Sequence, residues 1–238
     1  SEGLRPWENR TLGVIEPDRF VGLAEESGLI DPSGRWGLET ACEQMVEWKE
    51  NNYPDIELAV NVSVKQFALS TFTEVVKEIL NKTGIDPCAL ELEVTESLLM
   101  DTAYSAVETL NDLNALGVQL SIDDFGTGYS SLQYLSKFPI DLLKIDRSFI
   151  TGLASDTKSV AIVRAIIAMA KGLGLKTIAE GIEDEGQARL LRQFKCEYAQ
   201  GYFYSRPLKE AEFLEFMQSN TKALLERKAS QDQRNSLQ

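Results

Sequence analysis

The 238-residue sequence contains no histidine, and this absence excludes more chemistry than any other feature of its composition. Without an imidazole, the chain has neither a Ser-His-Asp nor a Cys-His catalytic arrangement, and it has no histidine-ligated zinc or iron site. Any catalysis must therefore come from carboxylate, amide, lysine or hydroxyl groups.

Cysteine is also scarce, and long apolar runs are missing. Cys42, Cys88 and Cys196 are scattered and form no CxxC pair, which indicates free thiols in a reducing compartment. No apolar run approaches the roughly 18 residues that a membrane span needs, and the N-terminal SEGLRPWENR does not resemble a signal peptide. We therefore expect a cytoplasmic location, with tethering to a membrane left open for regions outside this chain.

Basic residues are in deficit. Lys and Arg number 24 against 37 Asp and Glu, which gives a formal net charge of −13. A general nucleic-acid-binding protein needs a basic surface, so no DNA or RNA polymer is expected as a partner. A phosphate-bearing small substrate stays compatible with this balance if metal ions supply the positive charge.

What the sequence does contain is a repeated alternation of short β-rich runs with longer runs of helical periodicity. The predicted strands are Leu58–Val62, Leu90–Thr95, Val118–Ile122, Leu142–Ile145, Lys176–Ala179 and Tyr198–Tyr204. The predicted helices include Thr71–Thr83, Ala103–Leu116 and Ser159–Leu173, which are closed by Gly84, Gly117 and Gly174.

This alternation implies parallel strands, in either an open doubly wound sheet or a (β/α)₈ barrel. No glycine-rich phosphate-binding motif of the open-sheet nucleotide folds follows a strand. Polar residues at the strand ends favour the barrel, because active sites of that architecture lie at the carboxyl ends of its strands.

These polar residues recur on successive strands. They are Asn61, Glu93, Glu96, Asp123, Asp124, Lys144, Asp146, Glu180 and Gln200. Any one of the acids alone is most simply a helix cap or a solvated loop residue, but their recurrence predicts a single site at one mouth of a barrel. Several carboxylates in one pocket need a neutralising charge, and oxygen ligands without histidine or cysteine select Mg²⁺ or Mn²⁺.

Three features of this set leave alternatives open. Either Asp123 or Asp124 could bridge two metal ions, as in phosphoester hydrolysis. Lys144 is either an ion-pair partner or a ligand for water or a phosphate oxygen, and its place at a strand end favours function. The Gly/Ser-rich segment 124–131 is either a tight βα loop or a mobile loop that gates the site.

Six segments together resemble the EAL family of cyclic di-GMP phosphodiesterases. They are LAVNVS (58–63), ELEVTES (91–97), DDFGTGYSSL (123–132), FPIDLLKIDRSFI (138–150), IAEGIE (178–183) and QGYFYSRP (200–207). The resemblance implies a TIM-like (β/α)₈ barrel with one reversed strand. It also implies two Mg²⁺ or Mn²⁺ ions per site, inhibition by Ca²⁺, and hydrolysis of one phosphodiester of cyclic di-GMP to linear pGpG.

The resemblance also implies roles for individual residues. Metal ligands would be Glu2, Asn61, Glu93, Asp123, Asp124 and Glu180, with Asp123 bridging. Lys144 would hold the attacking water, and Glu180 occupies the position that has also been proposed as general base in the family. Substrate contacts would come from Leu4, Arg5, Gln200 and Arg206. Glu96 would tether the loop after Asp124, through which a homodimer is expected.

The sequence departs from the family pattern near its start. The first strand of the family barrel is absent from this chain, which leaves six complete strands and a stub at Glu2–Arg5. Pro6 stands where the family usually has a phosphate-binding arginine, and Arg5 lies one place early. We expect one EAL-type domain over residues 1–220, a helix end and polar tail over 221–238, and sensory or cyclase domains upstream.

Two other functions compete with the enzyme. One is a catalytically silent cyclic di-GMP receptor that acts through protein partners, although such receptors have usually lost several of the metal ligands that this sequence retains. The other is a (β/α)₈ scaffold whose acids serve only as helix caps and ion pairs, which would show no metal-dependent change in thermal stability.

Overall fold

The computed structural model describes residues 7–9, 13–15, 22–24, 26–51, 53, 56–101, 103–128, 132–153 and 156–220. Within these ranges the strands form two sheets. Strands β1 (Trp7–Asn9) and β2 (Gly13–Ile15) pair antiparallel. The expected stub at Glu2–Arg5, Pro6 and the polar tail 221–238 lie outside the described residues.

The second sheet has six parallel strands in sequence order, curled into part of a barrel. They are β3 (Leu58–Asn61), β4 (Leu90–Thr95), β5 (Gln119–Phe125), β6 (Leu142–Ile145), β7 (Lys176–Ala179) and β8 (Tyr198–Ala199). Each strand pairs with the next along the chain, as expected when a helix returns the chain to the same end of the sheet each time. The predicted TIM-like architecture is confirmed.

Helices connect these strands. They are α1 (Ile30–Glu50), α2 (Val64–Phe67), α3 (Phe72–Thr83), α4 (Glu96–Asp101), α5 (Ala103–Ala115), α6 (Leu132–Leu135), α7 (Arg147–Thr151), α8 (Thr157–Gly172), α9 (Glu185–Phe194) and α10 over residues 210–220. Three predicted helix ends are confirmed, because Gly84, Gly117 and Gly174 adopt φ of 72°, 90° and 78°, the left-handed conformation that closes a helix. In the described ranges no helix combines the length and apolarity needed to cross a bilayer.

Three predicted strands have bounds that differ from those in the structure. Strand β3 ends at Asn61, one residue before the predicted Val62. Strand β5 does not end at Ile122 but continues through the two aspartates to Phe125. Strand β8 ends at Ala199, and a hydrogen-bonded turn follows in which the N–H of Tyr204 donates to the carbonyl of Gly201. The aromatic run after Gly201 gave a false strand signal, because these side chains lie exposed on a turn.

The alternation of residue types along β4 to β6 separates the core from the site. On β4, Leu90, Leu92 and Val94 are fully buried among the apolar core residues, whereas Glu91 and Glu93 alternate with them and point to the opposite face. The apolar face of the sheet packs against buried helix residues, including Val76 and Ile79 of α3, Leu110 and Leu113 of α5, and Val163 and Ile167 of α8. The polar face lines the inside of the curl.

The last described helix packs against the first long one. Trp48 of α1 donates its indole N–H to Glu210 at 3.2 Å, and its ring lies 5.4 Å from that of Phe213. Helix α1, which the periodicity did not predict, buries Leu38, Cys42 and Met45 on one face.

Candidate active site

The centre of the candidate site is a buried lysine surrounded by three carboxylates. Lys144 Nζ lies 2.8 Å from Glu93 Oε1, 3.2 Å from Asp123 Oδ1 and 2.8 Å from Glu180 Oε1. These residues come from β4, β5, β6 and the position directly after β7. The structure therefore brings together four predicted site residues that are up to 87 positions apart in the sequence, from Glu93 to Glu180.

Burial makes this arrangement electrostatically demanding. The side chains of Lys144 and Glu93 are each 2% exposed, and removing such charges from water is costly unless opposite charges compensate. Here three carboxylates share one ammonium, so the cluster keeps a net negative charge. Further positive charge at its open side would stabilise it.

A bulge in β5 places the two adjacent aspartates. The β5–β6 register shifts between Ile122 and Phe125, and Asp124 adopts φ 55°, a conformation that asparagine and aspartate tolerate better than other non-glycine residues. The N–H of Asp124 donates to Oδ1 of Asp123 at 2.9 Å. The bulge interrupts the strict alternation of the strand at the double aspartate.

The surroundings of Asp124 are already rich in negative charge. Partial burial raises the pKa of the Asp124 carboxyl, and the charges of Asp123 and Asp146 raise it further, while Lys144 acts in the opposite direction. Asp146 also accepts the N–H of Ser148 at 3.0 Å and thereby caps α7. This side of the cluster favours a cation.

Asn61 and Gln200 flank the cluster. Asn61 is the last residue of β3 and pairs with Glu93 in the register of β3 and β4. Asn61 is exposed to solvent. The N–H of Gln200 donates to the carbonyl of Ala179, and its carbonyl accepts from the N–H of Ile182. These bonds hold Gln200 beside the segment that begins at Glu180.

Arg206 lies further out, with its guanidinium 4.6 Å from the centre of the Tyr202 ring. Both residues are exposed. The predicted ligand Glu2 and the predicted substrate contacts Leu4 and Arg5 lie outside the described residues.

Glu96 contacts the loop that follows the double aspartate. Glu96 is 2% exposed, and its Oε2 accepts the N–H of Gly126 at 2.7 Å. A Cβ at Gly128 would lie 3.1 Å from Glu96 Oε1, so the loop backbone passes close over this carboxylate. The contact expected of a tether is present, and its effect on activity stays a prediction.

Sequence reasoning missed a second acid on the inner face of β4. Glu91 is 8% exposed, and burial raises the pKa of its carboxyl, opposed by a hydrogen bond with Ser121 and by the charge of Lys144. The signal was available, because Glu91 and Glu93 are two residues apart on one strand and so face the same side. Glu91 lies near the start of β4 rather than at its carboxyl end, so the pattern of polar strand ends did not include it.

The donor set fits a hard divalent cation in its chemistry. Asn61 offers an amide oxygen, and Glu93, Asp123, Asp124 and Glu180 offer carboxylates, the oxygen ligands that Mg²⁺ and Mn²⁺ prefer. Among the residues that the structure describes, no three acids or cysteines form a ready-made metal cluster. The ammonium of Lys144 lies between the acids.

Comparison with known proteins gives consistent results. A family model described as EAL domain matches residues 2–207. Cyclic di-GMP phosphodiesterase NbdA of Pseudomonas aeruginosa is 43% identical over 218 residues, which cover 92% of this chain and 28% of the relative. Bifunctional diguanylate cyclase/cyclic di-GMP phosphodiesterase MucR of the same organism is 44% identical over 213 residues, with 90% and 31% covered. This chain thus spans less than a third of these two curated relatives.

Solved structures show the same similarity. The PaMucR phosphodiesterase in complex with c-di-GMP superposes with a TM-score of 0.86 at 44% identity, covering 89% of this chain and 86% of that chain. The EAL enzyme Bd1971, in its form with cAMP and cyclic di-GMP bound, gives a TM-score of 0.85 at 35% identity, with 91% and 59% covered.

Proposed function

The chain belongs to the EAL domain family, and on that premise we propose that it hydrolyses one phosphodiester bond of cyclic di-GMP to give linear pGpG. Water would attack the phosphodiester at a carboxylate site that would hold two metal ions. The observation that carries the proposal is the cluster in which Lys144 contacts Glu93, Asp123 and Glu180. Relatives that are 43–44% identical carry names that state cyclic di-GMP phosphodiesterase activity, which supports the choice of substrate.

The proposed roles follow from charge and position. Asn61, Glu93, Asp123, Asp124 and Glu180, joined by Glu2, would hold two Mg²⁺ or Mn²⁺ ions. Such ions supply a water of lowered pKa and positive charge for the phosphate oxygens. Ca²⁺ would inhibit, because its looser coordination suits phosphoryl chemistry poorly.

The protein side chains complete the chemistry. The Lys144 ammonium donates hydrogen bonds and so orients the attacking water, with its charge maintained by the three adjacent carboxylates. Glu180 accepts the proton that the water loses. Leu4, Arg5, Gln200 and Arg206 would contact the substrate. The Glu96–Gly126 bond would keep the loop after Asp124 in place over the site.

The proposal extends to the assembly. A homodimer would form through the loop after Asp124, which Glu96 holds. Sensory or cyclase domains would accompany this domain in a longer protein, as the bifunctional name of MucR illustrates for that relative. A cytoplasmic site of action fits the intracellular nucleotide that we propose as the substrate.

The direct test is incubation of the purified protein with cyclic di-GMP and Mn²⁺, followed by chromatographic detection of pGpG. We expect turnover in the wild type and its loss in Asp123→Asn and Glu180→Gln. Turnover should also disappear after chelation and return when Mn²⁺ is added back. Calorimetric binding without hydrolysis would identify a silent receptor instead, and the absence of both binding and hydrolysis would contradict the proposal.

A further inference from the structure

The distance between Lys144 and Glu180 depends on two neighbouring chain segments. Lys144 lies on β6, which leads through Asp146 into α7, and Glu180 directly follows β7. The side chains of Lys144 and Glu180 meet at 2.8 Å. The pairing of β6 with β7 sets this distance first, and the packing of α7 against the segment after Glu180 acts on it through these short connections.

The buried side chain of Gln187 joins these two segments. Its Oε1 accepts the N–H of Glu183 at 2.7 Å and that of Asp184 at 3.3 Å. Its Nε2 donates to the carbonyl of Ile150 in α7 at 3.2 Å. Gln187 is 5% exposed, so both ends of its amide bond to protein in a site that is largely closed to water.

Helix capping explains only one end of this amide. The carboxylate of Asp184 accepts the N–H of Gln187 at 2.9 Å, and Oε1 of Gln187 accepts the N–H of Asp184. Together these two bonds form the capping box of α9. The bond from Nε2 to Ile150 lies outside that motif, because it reaches a helix 37 residues earlier in the chain. It therefore has a separate structural consequence.

We call the boundary between residues 145–150 and residues 180–184 the seam. Two further contacts lie along it, nearer to the carboxylate cluster. The N–H of Glu180 donates to the carbonyl of Ile145 at 3.1 Å. Gly181, with φ 70°, passes so close to Arg147 that an added Cβ would lie 2.5 Å from the Arg147 Cβ. The seam is thus tightly packed from the strand ends to Gln187.

We infer that Gln187 is a positioning residue, whose amide fixes α7 to the segment after Glu180 and so holds Lys144 and Glu180 at contact distance. This inference rests on the proposed function, because it assigns Gln187 a part in that same reaction. Gln187 itself does not touch the carboxylate cluster through any contact described above. Its effect would pass through the two backbone segments that it joins.

The test compares Gln187→Met with Asp184→Ala. Methionine keeps the approximate length of glutamine and removes both ends of the bridge. Asp184→Ala removes the other half of the capping box and leaves the Ile150 bond possible. We expect Gln187→Met to lower kcat roughly 10- to 100-fold, the scale that small misplacements produce, with KM within about twofold of wild type. Asp184→Ala should lower the Tm but keep kcat near the wild-type value.

A second measurement does not depend on activity. Hydrogen exchange should show faster exchange of the Glu180 amide in Gln187→Met than in Asp184→Ala, because loosening of the seam exposes its bond to Ile145. Gln187→Glu gives another variant in case the methionine protein does not fold, since its carboxylate keeps the acceptor and loses the amide donor.

The outcomes separate the two proposals. If the wild type does not hydrolyse cyclic di-GMP, the proposed function fails, and the exchange comparison alone decides whether Gln187 fixes the seam. If the wild type is active and the two variants lose kcat equally at matched Tm, Gln187 only caps α9 and the inference is overturned. A rise in KM at constant kcat would also overturn it.

Discussion

The ammonium of Lys144 lies 2.8 Å from Oε1 of Glu93, and both side chains are 2% exposed. Removing one partner of such a buried pair leaves the other charge uncompensated. We therefore expect Lys144→Met to lower the free energy of unfolding by about 3–5 kcal/mol, as measured by urea denaturation in the absence of divalent ions.

A double variant provides the control for this pair. Lys144→Met combined with Glu93→Gln should be more stable than the sum of the single changes implies, because neither residue then carries an uncompensated charge. Strict additivity of the two effects would contradict the electrostatic account. Mn²⁺ should raise the Tm of Lys144→Met more than that of wild type if the cation replaces the ammonium.

Glu96 should control the loop after the double aspartate. Glu96→Ala removes the acceptor for the N–H of Gly126, and we expect a loss of about 1–3 kcal/mol for the buried group left behind. Hydrogen exchange at residues 126–128 should accelerate and turnover of cyclic di-GMP should fall. Glu78→Ala is a suitable control, because Glu78 pairs with Arg35 on the surface and such pairs contribute little. Equal effects of the two changes would exclude a special role for Glu96.

Gly201 and Gly172 should respond in opposite ways to alanine. A Cβ at Gly201 would lie 2.2 Å from the backbone N and O of Ile182, which no side-chain rotation can relieve. Gly201→Ala should therefore destabilise the protein and displace Gln200, with lower turnover as the functional readout. At Gly172, the last residue of α8, a Cβ meets nothing within 4 Å, so Gly172→Ala should be neutral or stabilising by up to about 1 kcal/mol. Thermal denaturation of both variants measures the contrast.

Two of the free thiols, Cys42 and Cys88, should differ in reactivity. Burial raises the pKa of Cys42 to about 12, with a smaller contribution from Glu43, so that about one Cys42 side chain in ten thousand is ionised at pH 8. Cys88 is exposed, and its hydrogen bond with Asp86 raises its pKa as well. We expect iodoacetamide at pH 8 to modify Cys88 before Cys42, as followed by peptide mass spectrometry. Urea should abolish the difference, and early labelling of Cys42 in folded protein would contradict the packing of α1.

The sequence was most informative where one residue pattern had one structural meaning. Strands β4, β6 and β7 have the predicted bounds, because each is a short β-rich run that a helix or a turn follows directly. Since parallel strands share one orientation, the sequence alone predicts that their polar ends converge. The contacts of Lys144 with three acids show that these polar residues do lie together.

Other features depended on tertiary contacts that periodicity does not encode. Helix α1 contains Pro32, Gly34 and Gly37 in its first half, residues of low helix propensity. Pro32 is tolerated because it lies in the first turn, and the buried face of Leu38, Cys42 and Met45 packs into the core. The hydrogen bond from Gln187 to Ile150 could not be predicted from the sequence either, because the two residues are 37 positions apart.

Lys144 also bears on how the domain is made. Many small metalloproteins need their ion to fold, because the free energy of metal binding is part of their free energy of folding. In this chain the Lys144 ammonium, which contacts three of the acids, supplies part of the neutralising charge from the polypeptide itself, so assembly of the acidic pocket depends less on the supply of divalent ions. On the function proposed above, a cell short of magnesium would then hold folded but inactive copies rather than chains marked for degradation, and hydrolysis would resume when the ion returned.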